Sequence, residues 1–258
     1  MTIDTPPACR GVIHYRFHYR FHRSRGLAGH SLGNLLILAL EKITGSFAQA
    51  ITEASKILAI KGQVVPSTFT DVQLAGKLAN GKTVVGERKL FLAGMKSKII
   101  SVWLVPEKVH ANPKAISAIN SANIIIIGPG SFYTSIIPNL LIGEITQAII
   151  ANKKAKKIYI CNVSTERGET QNFSVKDHIA MLQQYGGDKI ARYCLVNNKI
   201  ISKSAKQYKL GEVHNISCPQ KSINGVKIIK SDIINIENPL YHDSVKLSQA
   251  LNKIIYEK

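Results

Sequence analysis

Apolar positions along this chain follow two rhythms that take turns, a helical repeat and a short unbroken run. Over residues 31–43, Leu32, Leu35, Leu36, Ala39, Leu40 and Ile43 hold one face of a helical repeat, which predicts a helix with one buried side. Ser46 and Gln49 then stand at capping-box spacing, and Phe47, Ala50, Ile51, Ala54, Ile57 and Leu58 carry a second helix. Residues 63–65 read as a short strand stopped by Pro66. Two stretches, 72–79 and 83–85, flank Asn80-Gly81, a dipeptide that tolerates positive φ and favours a tight hairpin. Residues 99–105 predict another strand. Asn112 before Pro113 marks an N-cap with proline at the first helical position, and that helix runs to Ile119.

The second half alternates more regularly. Ile124-Ile-Ile-Ile127 is apolar throughout, the pattern of a strand covered on both faces in a parallel sheet. A helix over 139–150, a strand over 157–161, a helix capped by Ser174 and reaching Tyr185, and a strand over 192–196 follow. Residues 202–238 show no clear period. Asp243 or Ser244 caps a terminal helix with Val245, Leu247, Ala250, Leu251 and Ile254 on its apolar side. This alternation predicts βαβ crossovers and an α/β, Rossmann-like fold: a mainly parallel sheet flanked by helices, with a small β-hairpin insertion at about 70–105. In such sheets ligands sit beyond the carboxyl ends of the strands, where strand order reverses, which directs attention to the loops starting at Gly128, Asn162 and Asn197.

Residues 26–258 are expected to form one domain, and residues 1–25 an atypical, poorly ordered segment. There Tyr15-Arg-Phe-His18 is repeated at once as Tyr19-Arg-Phe-His22. The repeat reads as a tandem duplication, as a helical stack of His14, His18 and His22 suited to a metal, or as a basic–aromatic stripe for single-stranded nucleic acid.

Composition narrows the class. With 258 residues and 45% of them hydrophobic, the chain has the material for a substantial core. Its longest apolar run, around 35–40, falls far short of the ~20 residues of a membrane-spanning helix. No apolar stretch with a small-residue cleavage site opens the chain. Cys9, Cys161, Cys194 and Cys218 lie apart with no CxxC pair, which argues against zinc and against a disulfide framework. A cytoplasmic protein is the expectation. The net charge of +18 suits a polyanionic partner (nucleic acid, acidic lipid, phosphorylated ligand) or a merely solvated basic surface. No nucleic-acid module accompanies it, so specific nucleic-acid binding is not expected.

Three segments carry chemistry. Gly128-Pro-Gly-Ser-Phe-Tyr-Thr-Ser135 follows the buried strand, and its glycines let backbone approach a ligand. Ser131, Thr134 and Ser135 add hydroxyls, and the next helix offers N–H groups to an anion; the bland alternative is a turn that only joins strand to helix. Neither a Walker A sequence nor G-x-G-x-x-G occurs. Gly26-Leu-Ala-Gly-His-Ser-Leu-Gly-Asn34 is a second glycine-rich junction, in which His30 and Asn34 either meet a ligand or serve structure. Cys161-Asn-Val-Ser-Thr-Glu-Arg-Gly-Glu-Thr170 brings Asn162, Glu166, Glu169 and Thr170 after a strand, to hold a ribose hydroxyl or a metal-bound phosphate, or to solvate a loop. Asp177 stands where an acidic side chain favours a helix N-terminus.

Taken in order, Gly29-His-Ser-Leu-Gly-Asn-Leu-Leu36, Val65-Pro-Ser-Thr68, the 128–135 loop with Ile137-Pro-Asn-Leu140, Asn162 with Gly168-Glu-Thr170, and Asp177-His178 make the chain similar to a known family. From about Tyr19 to the C-terminal helix it resembles the gluconeogenesis factor (YvcK-type) family of the 2-phospho-L-lactate transferase (CofD)-like superfamily. The resemblance implies a nucleotide-sugar (UDP-sugar) ligand and a regulatory role linked to cell shape and cell-wall precursor control, with no catalytic residue carried over. It implies a ligand-binding set of Gly128, Gly130, Ser131, Thr134, Ser135, His30, Asn34, Asn162, Glu169, Thr170, Tyr208 and His242. The transferase branch instead moves a phospholactyl group onto a deazaflavin acceptor, and magnesium would accompany that reading. That branch tends to carry Asn-Pro where this chain has Ser131-Phe132, so the sequence sides with the regulatory branch.

Two departures stand out. The family opens with a strand and a GGGTG-like phosphate loop that this chain lacks, which predicts a truncated copy of low stability, a homo-oligomer, or dependence on a complementing N-terminal fragment. Near the C-terminus the family commonly has Arg-His-Asp, the arginine tied to nucleotide-sugar binding, where this chain has Tyr241-His-Asp243.

Overall fold

The structure, a computed structural model, describes residues 31–60, 62–199 and 216–256. The YRFH repeat, His30 and Tyr208 lie outside the described residues. The chain divides into two compact units, residues 1–69 and 70–258.

In the first unit, α1 (Leu32–Thr44) and α2 (Phe47–Ile57) pack on one another. Ser31 caps α1 by accepting from the Asn34 amide, and Gly45 ends it at φ +69°, where its N–H reaches the Glu41 carbonyl. That left-handed exit favours glycine because a Cβ there clashes with the following backbone. Ser46 caps α2 through the Gln49 amide, as the spacing predicts. Residues 63–65 are not a strand. Three residues ahead of a proline offer too few backbone bonds to hold an edge on their own.

The second unit holds two sheets. The hairpin at Asn80-Gly81 is present, joining β1 (Gln73–Leu78) to β2 (Thr83–Val85), with Gly81 at φ +83°. β3 (Ile99–Val105) pairs antiparallel with β1, so the insertion is a three-stranded sheet in the order β2-β1-β3 rather than a bare hairpin. Between β2 and β3 runs a helix that the sequence reading did not separate out, α3 (Glu87–Gly94). Its Leu90 is fully buried over Gly76, where a Cβ would approach the leucine to 2.7 Å.

The larger sheet orders its strands β4-β5-β6-β8-β7. β4 (Ile124–Ile127), β5 (Lys156–Ile160), β6 (Tyr193–Asn197) and β8 (Val226–Ser231) run parallel, while β7 (Ser222–Ile223) is a short antiparallel edge. Ile158, Tyr159, Ile160 and Leu195 in the central strands are essentially inaccessible, the double coverage that predicts unbroken apolar runs. Among the described parallel strands, β4, β5, β6 and β8, the order runs one way, so the expected switch point is not seen there, and β4 is an end strand.

Helices connect these strands: α4 (Pro113–Ser121), α5 (Ile137–Leu140), α6 (Gly143–Ala151), α7 (Val175–Gly186) and α8 (Ser244–Tyr256). Asn112 caps α4 with proline behind it. Ser174 and Asp177 form a full capping box on α7. The helix expected over 139–150 is two pieces. A π-helical turn at Phe132–Ile136 runs into α5, and the chain then bends by 74° before α6. Ile158, Val163, Leu195, Ile233, Ile234, Ala250 and Ile254 form one buried cluster that seats α8 on the sheet. Among the described residues no single helix is long and apolar enough to cross a membrane.

Candidate functional site

A cleft of about 700 Å³ opens beyond the carboxyl ends of β4 and β5, within the size range of small-ligand sites. Its floor starts where β4 ends. Gly128 has φ +85°, and a Cβ on it would lie 3.1 Å from the Ile160 carbonyl oxygen and 3.3 Å from Ile136. Conformation and packing both require glycine there. Pro129, Gly130 and Ser131 then line the cleft, and the Gly130 and Ser131 amides donate to no acceptor among the described residues.

The next amides are engaged. Glu169, nearly inaccessible, accepts from the Tyr133 amide at 2.7 Å, from the Thr134 amide at 3.3 Å and from the Thr134 hydroxyl at 2.6 Å. The Ser135 and Ile136 amides both reach the Ser131 carbonyl. The helix N-terminus that the sequence reading offered to an anion is therefore satisfied by the protein's own carboxylate. Phe132 and Tyr133 are anchored beneath it, edge-on to Phe173, and Phe132 also meets His178.

The second wall is the loop after β5. Asn162 donates to the Gly130 carbonyl at 3.1 Å, joining the two strand-end loops. Ser131 donates to Glu166 at 2.6 Å. Burial raises the pKa of Glu166 against the lowering effect of that bond. Glu169 is pushed up to about 7, chiefly by burial and then by the neighbouring Glu166 charge. Two carboxyls thus sit behind the loop where low dielectric disfavours ionising both. Thr170 is fully buried and accepts from the Glu166 amide.

The third wall comes from residues 240–247. Ser164 donates to the Pro239 carbonyl, and a bridge between Ile234 and His242 holds the segment down. His242 meets the Cys161 carbonyl through Nε2 at 3.2 Å, which assigns the proton to that nitrogen, and burial lowers its pKa. Leu240, Tyr241 and Leu247 supply apolar lining, and Phe91 and Met95 close the side next to the small sheet. There α3 meets the β5 loop backbone to backbone: a Cβ on Gly94 would collide with the Gly168 carbonyl, and one on Gly168 would lie 2.9 Å from the Phe91 carbonyl.

Of the expected ligand-binding residues, Gly130, Ser131, Asn162 and His242 line this cleft. Gly128, Thr134, Glu169 and Thr170 build the wall from behind. Ser135 is exposed, and its carbonyl accepts from Asn139. Asn34 belongs to the first unit, on α1. The lining also includes Glu166, which the sequence offers to a ribose hydroxyl or a metal-bound phosphate or to solvent, Arg167 and Tyr241, to which it gives no ligand role, and Phe91 and Met95, for which no motif speaks.

Magnesium, tied to the transferase reading, does not fit a protein-held site here. Both Glu169 oxygens already accept hydrogen bonds, one Glu166 oxygen is taken by Ser131, and no group of three His, Cys, Asp or Glu side chains suited to a metal occurs among the described residues.

A family model described as 2-phospho-L-lactate transferase CofD matches residues 2–234. This chain belongs to the CofD family. The match starts well ahead of Tyr19, so family similarity reaches further toward the N-terminus than the motifs indicated. The Gluconeogenesis factor of Bacillus subtilis (strain 168) is 37% identical over 245 residues, covering 93% of this chain and 76% of that protein. A Nostoc sp. (strain PCC 7120) relative is 39% identical over 243 residues, and the chain spans 92% of itself but about half, 53%, of that protein. A crystal structure of a Bacillus halodurans protein superposes with a TM-score of 0.85 at 35% identity, over 96% of this chain and 79% of that one. These likenesses place the chain in the gluconeogenesis-factor group of the CofD family and bear out the α/β fold.

Proposed function

We propose that the cleft binds a uridine-diphosphate sugar and that the protein is a nucleotide-sugar-responsive regulator, linked to cell shape and cell-wall precursor control. The observation that carries this reading is the pair of undonated amides at Gly130 and Ser131, on the rim of a cleft at the carboxyl ends of two parallel strands. Backbone N–H groups at such a position favour phosphate oxygens. Asn162 and His242 add polar groups, and Tyr241 and Leu247 give a base or sugar an apolar surface.

Titration calorimetry with a uridine-diphosphate sugar tests the proposal. The intact chain is expected to bind, and Gly130→Val to abolish binding by filling the rim; unchanged affinity in the variant removes the loop from the site.

The family model's own description favours a second reading, a phosphotransferase acting on a deazaflavin acceptor. Phosphorylated product from such an acceptor and an activated lactate donor would establish it, and its absence counts against it. Ser131-Phe132, where that branch tends to carry Asn-Pro, favours the regulatory reading over it.

A further inference from the structure

Arg167 is the one lysine or arginine lining the cleft among the described residues. At the other basic side chain there, His242, burial disfavours the charged form. Tyr241, on the opposite wall, brings an uncharged ring. Glu166 on the lining and Glu169 behind it crowd together, so an anionic ligand needs a compensating cation close by.

Arg167 is built to supply one. Its side chain is exposed and makes no ion pair with any described residue, while Gly168, Glu169 and Thr170 directly after it are buried. The backbone that carries it is fixed on both sides. The Glu169 and Thr170 amides fold back on the Glu166 carbonyl at 3.1 and 2.9 Å, and the Glu166 amide donates to the Thr170 hydroxyl at 2.9 Å. Gly168, at φ +86°, is pressed against Gly94 and the Phe91 carbonyl. A tight turn thus holds the stem of a guanidinium beside the Gly130–Ser131 rim. The planar fork of arginine matches phosphate oxygens two at a time, which a lone ammonium does not.

Resting on the nucleotide reading of the cleft, we propose that Arg167 pairs with the ligand's phosphate groups as the one permanent cation that the described lining supplies.

The test uses the intact chain with two probes, uridine 5′-diphosphate and uridine, measured by calorimetry at two salt concentrations. Uridine 5′-diphosphate is expected to bind more tightly than uridine, with an affinity that weakens as salt rises. Arg167→Gln should lose about tenfold or more of the diphosphate affinity, flatten the salt dependence, and leave uridine binding and the thermal midpoint unchanged. Arg167→Lys should recover part of the loss. Arg167→Gln combined with Tyr241→Arg should recover most of it, a rescue that a merely structural role for Arg167 would not give. Wild-type diphosphate affinity in Arg167→Gln overturns the assignment and leaves the cleft reading standing. Equal loss of both probes with a lowered midpoint overturns it in favour of a structural role. A wild-type chain that binds neither probe brings down the cleft reading, and this proposal with it.

Discussion

Glu169 shows how a single side chain sets the character of the loop. A carboxylate that the sequence offered to a ligand instead closes the amides of Tyr133 and Thr134 from within. Its pKa is raised from an ordinary 4.5 to about 7, so ionising it costs more in the folded chain than in the unfolded one. The stability tied to this group is fully present below about 4.5 and is lost as pH rises through about 7, with a slope of up to roughly 1.4 kcal/mol per pH unit. Glu169→Gln keeps an acceptor for the two amides and removes the titration. Denaturant unfolding between pH 5 and 8 should therefore give a flatter stability profile in the variant; an unaltered slope would assign the titration elsewhere. Gly130, Ser131 and Asn162 were legible from sequence as cleft lining because motif and strand-end position agree on them, and His242 through the family resemblance alone. Arg167 and Glu166 were visible but ambiguous, since an exposed charged pair in a loop reads equally well as solvation. Phe91 and Met95 were not legible, because they reach the cleft only through a long-range contact.

At the scale of elements, capping residues gave the most reliable boundaries. Ser46, Asn112 and Ser174 each cap the helix that local chemistry assigns to them, and Ser31 caps α1 without having been singled out. Ser174→Ala removes the acceptor for the Asp177 amide and the hydroxyl's own bond to the Asp177 carboxylate, leaving only the bond from the residue 174 amide. It should destabilise the fold by about 1 kcal/mol in urea titration without altering ligand affinity, because α7 contributes no residue to the cleft lining. The β7–β8 hairpin went unread although Asn224-Gly225, with φ of +47° and +81°, repeats the signal used at Asn80-Gly81. It sits inside the stretch with no period, and a two-residue strand leaves little alternation to find. The break between α5 and α6 was missed for the opposite reason, since apolar residues continue through it and periodicity alone cannot see a bend.

Across residues 70–258, the three-stranded insertion and the parallel sheet are joined at the cleft by the Gly94–Gly168 contact. Tyr185 on α7 adds a second tie by accepting from the Val102 amide of β3 at 2.9 Å. Main chain meets main chain at the glycine pair, so no change of rotamer can absorb a displacement there. Any widening of the cleft must drag α3 along, and whatever fills it damps the breathing of strands that never touch it. Deuterium uptake across β1 and β3 should accordingly slow when a uridine-diphosphate sugar is present. In Gly94→Ala, where the added methyl props the two backbones apart, that distant quieting should vanish.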